Sequence, residues 1–465
     1  MTPAAVTSPR SAPPRQLGVW VASAIVIANM IGTGVFTSAG FQAQRLHDPW
    51  TMVLTWVVGG VLALCGAATY AELASMMPHA GGEYVYLREA YHPAVGFMSG
   101  WVSLTAGFSA PIAASAIAFA RYLATLAPSL GGPGAQVAVA IGLIVAVTGL
   151  HAFDTALGGR IQAAFTGVKV VLIALFIILG VTVGHGDWGH LAPAAGGLRN
   201  VGTSAFATSL MYVSFAYSGW NAGGYIAGEI ARPERNVPRA LLLGTGLVMA
   251  LYVGINVVFL YAVPPSVLGG ASGGGPIVEV GDAAARALFG AHAGSLLTSL
   301  IALALVSAVS AMIVAGPRVY AAMAEDKALP PALAWRNGRG VPVVAVLSQG
   351  LLGVLFVLVG DLGALIRFVG FSLALFAALT VGAVFLLRRR GLAAPYRTFG
   401  YPVTPVLFIG VSAWIAYAQI MDHPLESLFV AGVLIAGAVV YAITRPRAAG
   451  RAALPGARVV ERDDA

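Results

Sequence analysis

Twelve stretches of this chain stay apolar for about the 20 residues that a helix needs to cross a bilayer. They fall at roughly 17–41, 50–77, 94–127, 135–153, 161–184, 202–231, 239–263, 294–323, 341–360, 362–387, 403–421 and 426–444. Hydrocarbon has no water to offer a stray N–H or C=O, so a spanning backbone must satisfy its own hydrogen bonds, as a helix does. The pattern predicts an all-α integral membrane protein with twelve transmembrane helices. Composition agrees: 58% of the residues are hydrophobic and 9% charged, against about 25% charged in soluble domains. An even number of spans puts both termini on one side.

The segment before Leu17 is polar and Pro-rich, which predicts a disordered cytoplasmic N-terminus over residues 1–16. The apolar run that follows is too long for a signal-peptide core and reads as a spanning helix. Residues 17–444 form the transmembrane domain, and 445–465 an Arg-rich cytoplasmic tail. The net charge of +8 is a topology signal and not a nucleic-acid signal. With the termini inside, only Arg45, Arg199 and Arg286 lie in outside loops, as the positive-inside rule requires. This places the chain in the inner (plasma) membrane, in contact with lipid. The sole cysteine, Cys65, lies inside an apolar segment. It excludes an intrachain disulfide and argues against a disulfide-linked partner subunit. There is no Cys/His cluster for a metal, and no cofactor is implied. Two polar stretches have some structure: 78–93 suits a short interfacial helix on the inside, and 264–289 is either an external lid or a plain flexible connection.

Two of the apolar segments are interrupted near their middles. Segment 1 contains Met30-Ile31-Gly32-Thr33-Gly34, and segment 6 contains Phe215-Ala216-Tyr217-Ser218-Gly219. Gly costs about 1 kcal/mol relative to Ala inside a helix, so both sites are weak where the bilayer demands a helix. Irregular backbone at membrane depth survives only when buried in protein or lining a cavity. Close helix packing alone would also favour small residues. Segments 1 and 6 are the first members of two five-helix halves, however, and paired interruptions at matching positions point to a transporter's binding site. Each break exposes free N–H groups, which attract anions, and free carbonyls, which attract cations. An α-amino acid carries one carboxylate and one ammonium and satisfies both ends at once.

Ile31-Gly32-Thr33-Gly34-Val35-Phe36 resembles the helix 1 signature of the amino acid–polyamine–organocation (APC) transporters. Phe215 to Asn221 is similar to helix 6 of their L-type amino acid transporter branch. Glu229 to Ala240, Gly81-Gly82-Glu83-Tyr84-Val85-Tyr86 and the turn from Leu387 to Pro402 match the family as well. The resemblance implies a five-plus-five inverted repeat of the LeuT type, with repeat 1 over about 17–184, repeat 2 over about 202–387, and helices 11 and 12 appended over about 403–444. It implies that helices 1 and 6 are broken. Thr33 and Gly34 would meet the substrate carboxylate. Met30, Ile31, Ala216 and Ser218 would offer main-chain groups, and Phe215 would form an aromatic gate. Gly32, Tyr217 and Gly219 complete the expected site. Ser218 stands where the L-type branch often has Gly or Asp, which narrows the pocket.

Charges within the apolar segments are few. Lys169 lies in segment 5, where a lysine costs about 2.5–3.5 kcal/mol at a helix centre unless it faces a partner. Its ammonium is expected to bind carbonyls freed by the helix 1 break, in place of a sodium ion. The resemblance adds that sodium-independent branches carry a lysine there; snorkelling to the interface is the plainer reading. Glu72 and Glu229 are expected to pair with loop arginines such as Arg88 or Arg232, with an inner gate or proton path as the alternative. Arg367 is expected to reach outward or pair with Asp361, with an outer gate as the alternative, and His151 is expected to sit at the interface.

These features make the chain a secondary active amino acid transporter that works by alternating access, as an antiporter or symporter. No acid is evident beside the breaks, which favours small or neutral substrates. A permease for amines, polyamines or cationic amino acids is the alternative. A lipid-modifying membrane enzyme would need clustered acids or a Ser/His/Asp set at the interface, and a channel a polar stripe. Neither pattern is present.

Overall fold

The computed structural model describes residues 17–78, 81–153, 155–194, 197–270 and 274–444. The expected N-terminal segment, the tail after Thr444, and positions 79–80 and 271–273 of the two polar stretches lie outside these residues. The described chain is helical, and the one β-bridge, Leu17 to Ile230, is isolated. Among the described residues, nine helices are long and apolar enough to cross a membrane. A tenth span forms if α1 (Val19–Met30) and α2 (Thr33–Leu46), bent by 40°, are counted together. The two remaining expected spans are shorter. One is the 17-residue Val343–Val359; the other is the 14-residue Ser204–Tyr217, which stops at its break.

In chain order, α3 (Pro49–Met76) follows α2, then the short α4 (Glu83–Ala90). Next come α5 (Pro93–Val102) and α6 (Ala110–Leu126), joined through a π-helical stretch at Ser103–Ser109. Helices α7 (Pro133–Phe153), α8 (Thr155–Thr182), α9 (Ser204–Tyr217) and the one-turn α10 (Ala222–Tyr225) follow. The second half continues with α11 (Pro233–Ala262), α12 (Pro265–Leu268), α13 (Val280–Glu325) and α14 (Val343–Val359). It ends with α15 (Leu362–Arg389), α16 (Val403–Asp422) and α17 (Pro424–Thr444).

Local chemistry sets many of the starts. Proline opens α3, α5 and α11, where its missing N–H costs nothing. Asp48 caps α3 through the Thr51 N–H at 2.7 Å and also holds the Ala194 N–H at 2.9 Å. Burial opposes ionisation of Asp48, but the hydrogen bonds from Thr51 and Ala194 hold its carboxyl below the usual value. Asp361 caps α15 through the N–H groups of Gly363 and Ala364, so it is not the partner of Arg367. Helix α4 buries one face in the protein: Glu83, Tyr84, Tyr86 and Leu87 are all buried. Broken helix 1 packs on α11 and α9, and α6 packs on α13. That arrangement surrounds both breaks with helices.

Candidate functional site

The first helix stops at Met30, and the second starts at Thr33 with no side chain capping it. The carbonyls this frees do not stay empty. Tyr252 Oη donates to the Met30 carbonyl at 2.7 Å. Lys169 Nζ donates to the Ile31 carbonyl at 3.1 Å. Lys169 is 2% exposed, so its amino group meets the broken end and not the lipid headgroups.

The second break follows Tyr217. The Phe215 carbonyl accepts from the Ser218 N–H at 3.1 Å and from Ser218 Oγ at 2.7 Å, which ends α9. The two breaks are pressed together. A Cβ on Gly34 would lie 2.4 Å from Ala216 Cα, and one on Gly219 would lie 2.5 Å from the Asn29 carbonyl oxygen. Gly219 also has φ +102°, where L side chains are strained. Glycine at these two positions is a condition of the contact.

A cavity of about 360 Å³ opens beside the paired breaks. Met30, Gly32, Thr33, Gly34, Phe215, Ala216, Ser218 and Gly219 line it. The remaining two expected residues stand behind. Ile31 is 1% exposed and offers its carbonyl to Lys169. Tyr217 donates to the Trp56 carbonyl at 3.0 Å. The uncapped start of α2 faces the cavity as a partial positive charge, and the end of α9 as a partial negative one.

The cavity runs toward the face that carries Leu17, Gly81, Glu229 and Arg318. Glu229 and Arg318 pair at 3.6 Å at this mouth, with side chains 41% and 57% exposed. The opposite end is shut. Phe41 stacks on Tyr212 with centroids 5.1 Å apart. Arg367 binds Tyr212 Oη at 3.1 Å and Glu426 at 2.7 Å. Tyr122 donates to the Phe36 carbonyl and accepts the Gly281 N–H.

Other charged residues find partners that differ from the expected ones. Glu72, fully buried, accepts two hydrogen bonds from Arg388 at 2.7 and 2.8 Å, and Thr398 joins them. Arg88 is engaged by Asp326 instead. His151 is 1% exposed, and its Nε2 lies 2.8 Å from Ser310 Oγ. Trp220 packs edge-on to Tyr70 and Phe408.

Sequence reasoning looked to the third span, with segments 6, 8 and 10, for contacts to the substrate side chain, but missed which of its residues contribute. Ser103, Phe108, Pro111 and Ser115 line the cavity, and Ser115 Oγ hydrogen-bonds Thr33 Oγ1 at 2.5 Å. The available signal was the run Ser103-Leu104-Thr105-Ala106-Gly107-Phe108-Ser109, small and polar within an apolar segment. It folds as a π-helix, a form concentrated at functional sites. Asn221 and Glu83 were missed as well. Glu83 lines a smaller cavity that adjoins the first one at Ser218, Gly219 and Asn221. An acid therefore does stand beside a break.

The profile of the amino acid permease family matches residues 17–448. The serine/threonine exchanger SteT of Bacillus subtilis is 28% identical over 438 residues, covering 92% of this chain and 96% of that protein. The b(0,+)-type amino acid transporter 1 of Mus musculus is 27% identical, covering 92% of this chain and 87% of that protein. The large neutral amino acids transporter small subunit 2 of Oryctolagus cuniculus is 28% identical, with coverages of 92% and 80%. With two broken ends meeting at one cavity and a family match over nearly its whole length, the chain belongs to the amino acid permeases of the APC superfamily, membrane transporters and not enzymes.

Proposed function

We propose that this permease is a secondary active carrier of small neutral amino acids, sodium-independent, with the Lys169 ammonium where a sodium ion would otherwise sit. The observation that carries the reading is the Lys169 to Ile31 hydrogen bond beside an uncapped helix start. The substrate carboxylate takes the N–H groups at Thr33 and Gly34. Its ammonium takes carbonyls at the end of α9. Each helix-end contact contributes up to roughly 2 kcal/mol when partly buried. The cavity, near the small end of the range of about 300–1,000 Å³ for ligand sites, suits a small side chain. Acids near it are already engaged: Glu229 by Arg318, and Glu83 by Tyr70 and Asn221. One similar protein is an exchanger of serine and threonine, which supports the same substrate class.

Transport proceeds by alternating access in a five-plus-five arrangement. The cavity, open only toward the face of Leu17 and Arg318, represents one half of the cycle, with that face cytoplasmic. The carrier acts alone, without a disulfide-linked subunit. The test is uptake by purified protein in liposomes across a panel of amino acids, with sodium and proton gradients varied separately. Saturable uptake and counterflow of small neutral amino acids, unchanged when sodium is replaced by choline, is the expected result. Uptake that stops without sodium refutes the role given to Lys169.

A further inference from the structure

Glu83 is the buried acid that the transport reading leaves without a task. It is 5% exposed, and among the described residues no cation reaches its carboxyl. Among the described residues its neighbours on every side are neutral. From α3, Tyr70 Oη donates to Glu83 Oε1 at 2.7 Å. From the helix 6 break, Asn221 Nδ2 donates to the same oxygen at 2.8 Å. Asn221 also reaches Tyr225 Oη at 3.2 Å. Tyr86, on α4 itself, and Trp220 pack edge-on to Tyr70. The one cation on α4, Arg88, is engaged by Asp326 at 2.7 Å and Glu89 at 3.0 Å.

The pattern of donors is informative. Both hydrogen bonds converge on Oε1, and among the described residues none reaches Oε2. A carboxylate spreads its charge over two oxygens and seeks donors for both. A carboxylic acid has one carbonyl oxygen that accepts and one hydroxyl that donates. Glu83 has the arrangement of the acid, with its hydroxyl left for a water. Space for that water exists: the adjoining cavity measures about 70 Å³, above the roughly 10–15 Å³ that one water needs. Ser218, Gly219 and Asn221 wall both this cavity and the larger one. A proton leaving Glu83 therefore passes to water within reach of the substrate site. Burial pushes the Glu83 carboxyl up, against the opposing hydrogen bonds from Tyr70 and Asn221.

Building on the transport reading, we propose that Glu83 is the proton-binding residue of this carrier, protonated in the conformation seen here and coupled to transport through Asn221 at the helix 6 break. Loss of the proton, from Glu83 Oε2 to a cavity water, leaves a buried carboxylate without a cation. That charge disfavours this conformation and draws the Asn221 segment into a new arrangement. Substrate movement and proton movement are thereby linked.

The experiment uses the full chain in liposomes with a labelled amino acid from the panel. An inward gradient of one pH unit supports up to about tenfold accumulation at one proton per substrate. The wild type is expected to approach that value. Glu83→Gln, which mimics the protonated acid, should accumulate nothing yet keep counterflow. Glu83→Asp should keep a response to the gradient. Tyr70→Phe removes a hydrogen bond that favours the ionised form, so its half-maximal accumulation should move to higher pH. The proposal is overturned by a wild type that exchanges but ignores the gradient, by Glu83→Gln accumulating like wild type, or by its losing counterflow and accumulation together. Should Glu83→Gln not fold, an unshifted profile in Tyr70→Phe overturns it equally. A wild type that neither takes up nor exchanges any amino acid brings down the transport reading itself.

Discussion

Gly34 and Gly219 decide how near the two broken ends come. Adding one methyl at Gly34 drives it into the Ala216 backbone. Overpacking of this kind costs about 1–3 kcal/mol, and each 1.4 kcal/mol is about tenfold in binding. Gly34→Ala is therefore expected to weaken amino acid binding by roughly five- to a hundredfold, read as a raised half-saturation in uptake at matched protein per vesicle. Gly219→Ala should be at least as harmful, since it adds positive-φ strain to a clash with the Asn29 carbonyl. Unchanged transport in both would mean that the breaks do not form the site. Lys169 acts at the same scale. Lys169→Met leaves the Ile31 carbonyl buried without its donor, a loss of about 1–3 kcal/mol. Transport should fall roughly tenfold, and added sodium should not restore it, since the methionine side chain still fills the space.

Elements are tied together by ion pairs buried between them. Arg388 at the end of α15 and Glu72 near the end of α3 make two charge-assisted hydrogen bonds, with Glu72 wholly enclosed. Removing one member of such a pair strands the other, at about 3–5 kcal/mol. Arg388→Met should lower the thermal midpoint in detergent by several degrees, and adding Glu72→Gln should recover part of it. If the double variant is no more stable than the single, the pair is not what joins these helices. The sequence marked both residues as charges at helix ends, but their pairing depends on packing between residues 316 positions apart. Legibility follows the same rule elsewhere. A glycine pair in an apolar run, or a lysine in a membrane segment, violates a local rule and so stands out. Glu83 and His151 violate none on paper. Glu83 sits in a polar loop sequence, and only the folding of α4 beneath the helix 6 break encloses it. His151 looks like a helix-end residue until Ser310, on α13, meets it. Asp361, the nearest acid to Arg367 in sequence, caps its own helix, and Glu426, on α17, takes the guanidinium.

For the molecule as a whole, the informative asymmetry is between its two ends. Toward Leu17 and Arg318 the cavity has an exposed, loosely paired mouth. The other end is fastened by the Phe41–Tyr212 stack and by Arg367, which joins α9, α15 and α17. A carrier needs the reverse arrangement to be reachable, so this fastening must be strong enough to hold and weak enough to open. The guanidinium has two hydrogen-bond partners, Tyr212 and Glu426, on different helices. Arg367→Gln keeps a polar side chain but loses the ion pair with Glu426. It should shift the population toward opening at that end. The sole cysteine makes the shift measurable: in a Cys65→Ser background, Met312→Cys places one thiol on the cavity wall. An impermeant thiol reagent should label it readily from the Arg318 face and slowly from the Phe41 face. With Arg367→Gln added, labelling from the Phe41 face should rise severalfold while labelling from the Arg318 face falls. Equal labelling from both faces before that change would mean the cavity is a through-pore and not an alternately sealed site. No change after it would place the seal elsewhere, at Tyr122 and the start of α13.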